Sequence, residues 1–264
     1  MSITRISLAA ALVATAALGA VAPAQASSSD SVARAAAYRV SLKASTAEAV
    51  QKQDVVKLTG KVSPKAPGTK VTVQIQYDGQ DAWRTVGKAK VKSDGSYAFT
   101  DKPTSRLDRS YRVVKPSDRA ATLGTSRSRG VEVFGWDWLD ARAPSASANV
   151  LATYVMPING DDYGHTLYAD KAFKTGFSEF TLGRKCLLLD TTVGLSDRTE
   201  TGGQAGIKIS MDGVEAYERA FSLGQDDALS LDVDDVYRVR IDFTQLNGTP
   251  ATEPSAGAAR VLCD

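Results

Sequence analysis

The chain has 264 residues, with 32 Lys and Arg against 30 Asp and Glu and a formal net charge of +2. That balance leaves no basic footprint for nucleic acid, and the length admits one or two domains. One histidine and two cysteines, with no CxxC spacing, make a poor zinc site.

The first element is an export signal. Arg5 supplies a positive start, residues 7–21 form a run of mainly small and apolar residues, and Pro23 breaks it. Ala24-Gln25-Ala26 is the small-x-small pattern of a signal peptidase site, so cleavage is expected before Ser27. The alternative is a membrane anchor, but a spanning helix needs about 20 apolar residues, and this run is shorter. No cysteine follows the run, as a lipoprotein would require, and no second apolar stretch stands near the carboxyl terminus. Residues 1–26 are read as a signal peptide, and the protein as secreted, extracellular and without a membrane anchor. Cleavage removes one charge, Arg5, taking +2 to +1. The Ala- and Ser-rich residues 27–37 read as a flexible linker.

Residues 38–134 carry short alternating runs split by turns. Residues 71–77 (Val-Thr-Val-Gln-Ile-Gln-Tyr) have strict period two, and Asp78-Gly79 and Ser93-Asp94-Gly95 punctuate the pattern. Further runs at 38–42, 55–62, 83–91, 97–99, 111–114 and 130–134 complete a set with sandwich spacing. Period two implies one packed and one wetted face. Trp83 reads either as a packed sheet residue or as an exposed binding residue.

From residue 135 the pattern changes. Trp136 and Trp138 alternate, so on an extended strand they share a face. Strand-like runs recur at 154–158, 177–180, 186–195, 206–211, 214–219, 229–233 and 237–243, and Asp212-Gly213 marks a tight hairpin. With no sustained helical periodicity, the whole chain reads as all-β: two tandem β-sandwiches, with residues 135–264 a jelly roll. Cys186 and Cys263 form an even pair which, in an oxidising compartment, reads as one disulfide worth at most about 4 kcal/mol of chain entropy. Two buried free thiols are the alternative.

Two resemblances accompany these patterns. Leu58-Thr59-Gly60-Lys61-Val62 with Pro64, then Trp83, Asp94-Gly95-Ser96-Tyr97-Ala98-Phe99 and Tyr111-Arg112-Val113 resemble a bacterial immunoglobulin-like domain of secreted actinobacterial proteins. Such domains are usually spacers or adhesion units. Trp138-Leu139-Asp140, the run Ile158 to Leu167, Phe180-Thr181-Leu182-Gly183 before Cys186, Thr192 to Asp197, and Ile207 to Gly213 resemble the NPCBM family of carbohydrate-binding modules. That resemblance implies a galactose-binding-like jelly roll and a carbohydrate partner, polysaccharide or cell-wall glycan. Family members are often attached to glycoside hydrolases, and no hydrolase domain is expected within these 264 residues.

Sugar sites combine aromatic faces with a few fixed polar groups. The best local cluster is Asn159, Asp161, Asp162, Tyr163 and His165, with Trp136 and Trp138 as a stacking platform. Each has a structural alternative: Asn159-Gly160 as a turn, the tryptophans as packing, His165 as a hydrogen-bonded structural residue. The acidic pairs Asp226-Asp227 and Asp234-Asp235, with Asp232, read as solvated turns or an oxygen-rich cation site. Two carboxylates could act as a glycosidase pair only if held at the right separation. Nucleophile-elbow, zincin and P-loop motifs are absent. The expectation is therefore a non-catalytic binding protein with no catalytic residues, metal ligands or cofactor. A structural calcium ion is conceivable, though no aspartate spacing marks one. A protein-interaction or adhesion module is the runner-up, and a glycan hydrolase comes third.

Overall fold

The structure, a computed structural model, describes residues 36–246 and 250–264. The expected signal peptide 1–26 and most of the expected linker 27–37 lie outside the described residues. Ala37, at the linker's end, bridges to Thr122.

The regular structure of the described residues is almost entirely strand. The first set is β1 (Arg39–Val40), β2 (Lys43–Ala44), β3 (Glu48–Val50), β4 (Val56–Ser63), β5 (Lys70–Tyr77), β6 (Arg84–Lys90), β7 (Ser96–Asp101), β8 (Arg109–Lys115) and β9 (Gly124–Thr125). A long strand, β10 (Arg129–Trp138), and a single 3-10 turn, Leu139–Ala141, follow. The second set is β11 (Ala146–Ala148), β12 (Val150–Thr153), β13 (Met156–Ile158), β14 (Asp161–Tyr163), β15 (Thr166–Ala169), β16 (Thr175–Thr181), β17 (Cys186–Leu195), β18 (Gln204–Met211), β19 (Val214–Ser222), β20 (Asp226–Asp232), β21 (Arg238–Gln245) and β22 (Pro254–Cys263).

The alternating pattern of the first set becomes a core. Val71, Val73 and Ile75 of β5 meet Leu58 and Val62 of β4, Tyr111 and Val113 of β8, and Val131 and Val133 of β10. Tyrosines buried in this core keep their hydroxyls bonded: Tyr97 donates to the Ser41 carbonyl at 2.5 Å, and Tyr111 donates to Asp101 at 2.6 Å. An unpartnered buried hydroxyl would cost about 1–3 kcal/mol. The second set encloses its own core, with Leu139, Phe180, Leu189, Val193, Ile207, Ile209, Ile241, Phe243 and Val261. One wall is the five-stranded sheet β11-β16-β21-β18-β19; the other is β12-β15-β22-β10, with β17 and β20 continuing from β22. The Asp212-Gly213 hairpin is present: both residues have positive φ, 49° and 83°, as a tight β18–β19 turn requires.

Strand β10 pairs with strands of both sets. Arg129–Val131 pairs with β8, Glu132–Phe134 runs parallel to β3, and Gly135–Trp138 pairs with β22. The residue 134/135 division falls inside this strand, and the described residues form one compact unit. Gly135 is tight against the first set: a Cβ there would lie 2.4 Å from Nε of Arg106. Arg106 also grips Asp137, with Nη1 donating to Oδ2 at 2.7 Å. This guanidinium, with Arg142 nearby, holds the Asp137 carboxyl below the usual carboxylate range.

Cys186 and Cys263 are directly opposed in the β17–β22 ladder and form the disulfide. Both are buried, and no described cysteine is free.

Candidate functional site

Backbone register builds the site. Trp138 of β10 pairs with Arg260 of β22, Arg260 with Asp190 of β17, and Asp190 with Ser230 of β20. Directly opposed residues project from the same face of a sheet. These four side chains therefore form a row across the sheet on the face away from Leu189 and Val261, which are buried in the core. Arg260 Nη2 lies 3.1 Å from Asp190 Oδ2, and the Ser230 hydroxyl donates to Asp190 Oδ1 at 2.8 Å. The Arg260 guanidinium carbon stands 4.2 Å from the Trp136 ring centroid and 5.8 Å from that of Trp138. Trp136 and Trp138 thus share a face, as their alternation predicts, and Arg260 serves both rings.

His165 lies flat against Trp138, with centroids 4.3 Å apart and planes 7° from parallel. Its Nδ1 sits 3.0 and 3.1 Å from the two carboxylate oxygens of Asp140, which follows Leu139 in the 3-10 turn. Tyr154 meets His165 edge-on, at 5.6 Å and 69°. Its side chain is 78% exposed, so most of its surface is open to a ligand.

The backbone around His165 is specialised. His165 has φ of +51°, a left-handed conformation uncommon outside glycine. Ala258, also left-handed at +48°, donates its N–H to the Gly164 carbonyl at 3.0 Å. A register shift between Asp190 and Thr192 lies opposite this point. Gly257 lets Tyr163 approach: a Cβ at residue 257 would sit 2.7 Å from Cβ of Tyr163 and 3.1 Å from Cδ1 of Ile158. Alongside runs a cavity of about 510 Å³ lined by Trp138, Asp190, Thr192, Ala228, Ser230 and Arg260.

The other expected residues sit differently. Asn159, at φ +51°, and Gly160 form the turn between β13 and β14. Their N–H groups donate to the two oxygens of Asp197, and the Asn159 amide donates to Asp226 at 2.6 Å. Asp161 and Asp162 lie exposed on β14. Among the described residues, no hydrogen bond or ring contact joins Asn159, Asp161 or Asp162 to the Trp138–His165 stack. Tyr163 stands between the groups, packed on Gly257.

The acidic pairs are engaged locally. Asp227 accepts from Tyr217 at 2.6 Å and pairs with Arg219. Those contacts hold its carboxyl below the ordinary range, while burial, with Asp227 adding to it, pushes the Tyr217 hydroxyl up. Asp232 accepts the Asp234 N–H, and Asp235 pairs with Arg184 at 3.1 Å. Among the described residues no group of three or more His, Cys, Asp or Glu side chains is arranged to hold a metal ion.

Asp140, Tyr154, Asp190, Ser230 and Arg260 join the site without having been singled out in the sequence. Asp140 lies in the quoted Trp138-Leu139-Asp140 motif, which was its only local signal. Tyr154 reaches His165 beside the β12–β15 pairing, and the other three depend on pairing between distant segments.

Fold and site together define an all-β protein carrying a mixed aromatic and polar patch on an open sheet face. No family model matches the chain, and no curated protein matches it. Among solved structures, the CBM51 module from Clostridium perfringens GH95, in complex with methyl-galactose, is similar over 48% of this chain and 99% of its own, at 10% identity and TM-score 0.42. Tripeptidyl peptidase 2 is similar over 85% of this chain and 20% of its own, at 10% identity and TM-score 0.29. Likenesses at this level assign no function to the chain.

Proposed function

We propose that this chain is a secreted, non-catalytic carbohydrate-binding protein. In this reading residues 135–264 form a jelly-roll module related to the NPCBM family, and residues 38–134 an immunoglobulin-like spacer. The observation that carries the reading is the grouping of Trp138, His165 and the exposed Tyr154 beside the Arg260–Asp190–Ser230 row. Tyr154 offers a ring for the apolar face of a pyranose. The row offers guanidinium donors, carboxylate acceptors and a hydroxyl, the complement that sugar hydroxyls require. Because the row is anchored by cross-strand pairing, its groups are preorganised and little ordering opposes binding. The acidic pairs, each already holding a turn or a neighbouring side chain, favour binding over hydrolysis.

The test is a glycan array probed with the full chain, followed by Tyr154→Ala and Trp138→Ala. The proposal expects selective glycan binding that both substitutions weaken. No binding across a broad panel overturns it. A second reading, a protein-interaction surface, draws on Leu151 and Val155, which are about half exposed near Tyr154. It expects binding loss from Leu151→Ser without any glycan signal.

A further inference from the structure

The outer face of the β8-β5-β6 sheet is built unlike an ordinary solvated face. Its inner side is the core already described: Val71, Val73 and Ile75 of β5, with Tyr111 and Val113 of β8. By parity the outer side carries Gln74 and Gln76 of β5, opposed by Arg112 and Ser110 of β8, with Thr85 of β6 opposite Gln74. Arg112 lies over the Trp83 ring at 4.1 Å and donates Nε–H to the Gln74 side chain at 2.8 Å. Trp83 lies outside the buried core and is partly exposed. Lys88, opposite Thr72, is the next charge along this face. The centre is thus one indole beside amides and hydroxyls, with Arg112 engaged by the ring and Gln74, and Arg84 bonded to Gln80 at 3.1 Å.

Next to it opens a cavity of about 720 Å³, lined by Gln76 and Ser110 together with Asp78, Gln80, Asp81 and Asp108. The carboxylates on that side, Glu132 included, outnumber the one lining cation, Arg109, whose buried guanidinium is held by the Ser105 and Leu107 carbonyls and by Asp101, so a polyanion is disfavoured. Among the described residues, none of the exposed large hydrophobics that would anchor a protein partner is one of those named on this face. An uncharged, hydroxyl-rich ligand with one apolar face fits both halves: amides and hydroxyls pair with hydroxyls, and the indole takes the ring.

From this we infer a second carbohydrate-binding surface, on the first module, centred on Trp83, Gln74, Gln76 and Ser110, with a neutral polysaccharide as its occupant. The inference rests on the reading of the chain as a carbohydrate binder and makes that binding bivalent. The geometry allows one polymer to reach both surfaces. Ser110 pairs with Gly130 of β10, and Trp136 and Trp138 follow on the same unbroken strand in the same period-two phase. From Gly130 to Trp138 the strand spans about 26 Å, at about 3.3 Å per residue. Rigid linkage of two weak sites on one polymer raises avidity by about 10²- to 10⁴-fold over either alone.

The test is co-sedimentation of the full chain with insoluble galactan, mannan, xylan and glucan, followed by isotherms on each polymer that retains it. Trp83→Ala is expected to weaken retention at least about tenfold, Trp138→Ala likewise, and the double variant to abolish it. Trp83→Phe, which keeps a ring, is expected to restore most of the loss. If Trp83→Ala does not fold, Gln76→Ala combined with Ser110→Ala carries the same expectation. Wild-type retention by the Trp83 variants, with Trp138→Ala weakened, overturns the second surface and leaves the first standing. Failure of every polymer to retain the wild-type chain, or wild-type retention by all variants, overturns both.

Discussion

The packing of Tyr163 on Gly257 can be perturbed by one methyl group. In Gly257→Ala the new Cβ would lie 2.7 and 2.8 Å from Cβ and Cγ of Tyr163 and 3.1 Å from Cδ1 of Ile158. The first of these atoms is fixed to the backbone, so no rotamer change relieves it. Either β22 or the β13–β14 hairpin must shift. Overpacking of this kind costs about 1–3 kcal/mol, and at about 2–4 °C per kcal/mol for a domain of this size Tm falls by about 2–12 °C. The same shift displaces the segment leading to His165, so its stack on Trp138 loosens. Gly130→Ala is the matched control: it lies on a strand, its φ is not positive, and nothing stands within 4 Å of a Cβ there. Thermal unfolding followed by circular dichroism gives the stability difference, and the indole N–H resonances of Trp136 and Trp138 report the site. A Gly257→Ala protein with wild-type Tm and unmoved indole resonances would refute the argument. So would an equal loss in Gly130→Ala.

Replacing both Cys186 and Cys263 with Ala should lower stability by about 2–4 kcal/mol, measured by urea titration, while the wild-type protein shows no reactive thiol even when unfolded, until a reductant is added. An unchanged midpoint would show that the β17–β22 clamp contributes nothing. The Arg106–Asp137 contact should give an acid-sensitive contribution. Asp137 has a folded-state pKa below its unfolded value because Arg106 bonds and attracts it. Its contribution is therefore complete above about pH 4, the ordinary carboxylate value, and is lost as pH falls below it. The stability gap between wild type and Arg106→Ala should then be full at pH 7 and narrow as pH falls below about 4, leaving the part due to the Trp136 carbonyl bond; a gap that does not change with pH contradicts the assignment. Tyr154→Ala, by contrast, should leave Tm within about 0.5 kcal/mol of wild type in stability terms, since the side chain is 78% exposed. A large drop would mean that Tyr154 is a structural residue.

Local patterns carried the fold further than the site. Period-two runs such as residues 71–77 read directly as β5, Asp212-Gly213 as a hairpin, and the lone cysteine pair as a disulfide. Each depends on neighbours in sequence or on simple counting. The continuity of β10 from one set of strands to the other was hidden, because the pattern changes at residue 135. Gly135 is a strand residue whose missing side chain admits Arg106. Trp136 and Trp138 were legible as a shared face, and the structure stacks His165 on Trp138. Arg260, Asp190 and Ser230 were not legible, because their meeting depends on the registers of β10, β22, β17 and β20, set by packing between distant segments. At Asn159 the turn that the Asn159-Gly160 pair also offered is present: its N–H bonds to Asp197 and its side-chain amide to Asp226.

The central claim is tested most directly by a crystal structure of the full chain with the best glycan from the array. The account predicts a pyranose against Tyr154, with hydroxyls bonded to Asp190, Ser230 or Arg260. Electron density for that glycan at a place remote from the Trp138–His165 stack and from Trp83 would contradict it.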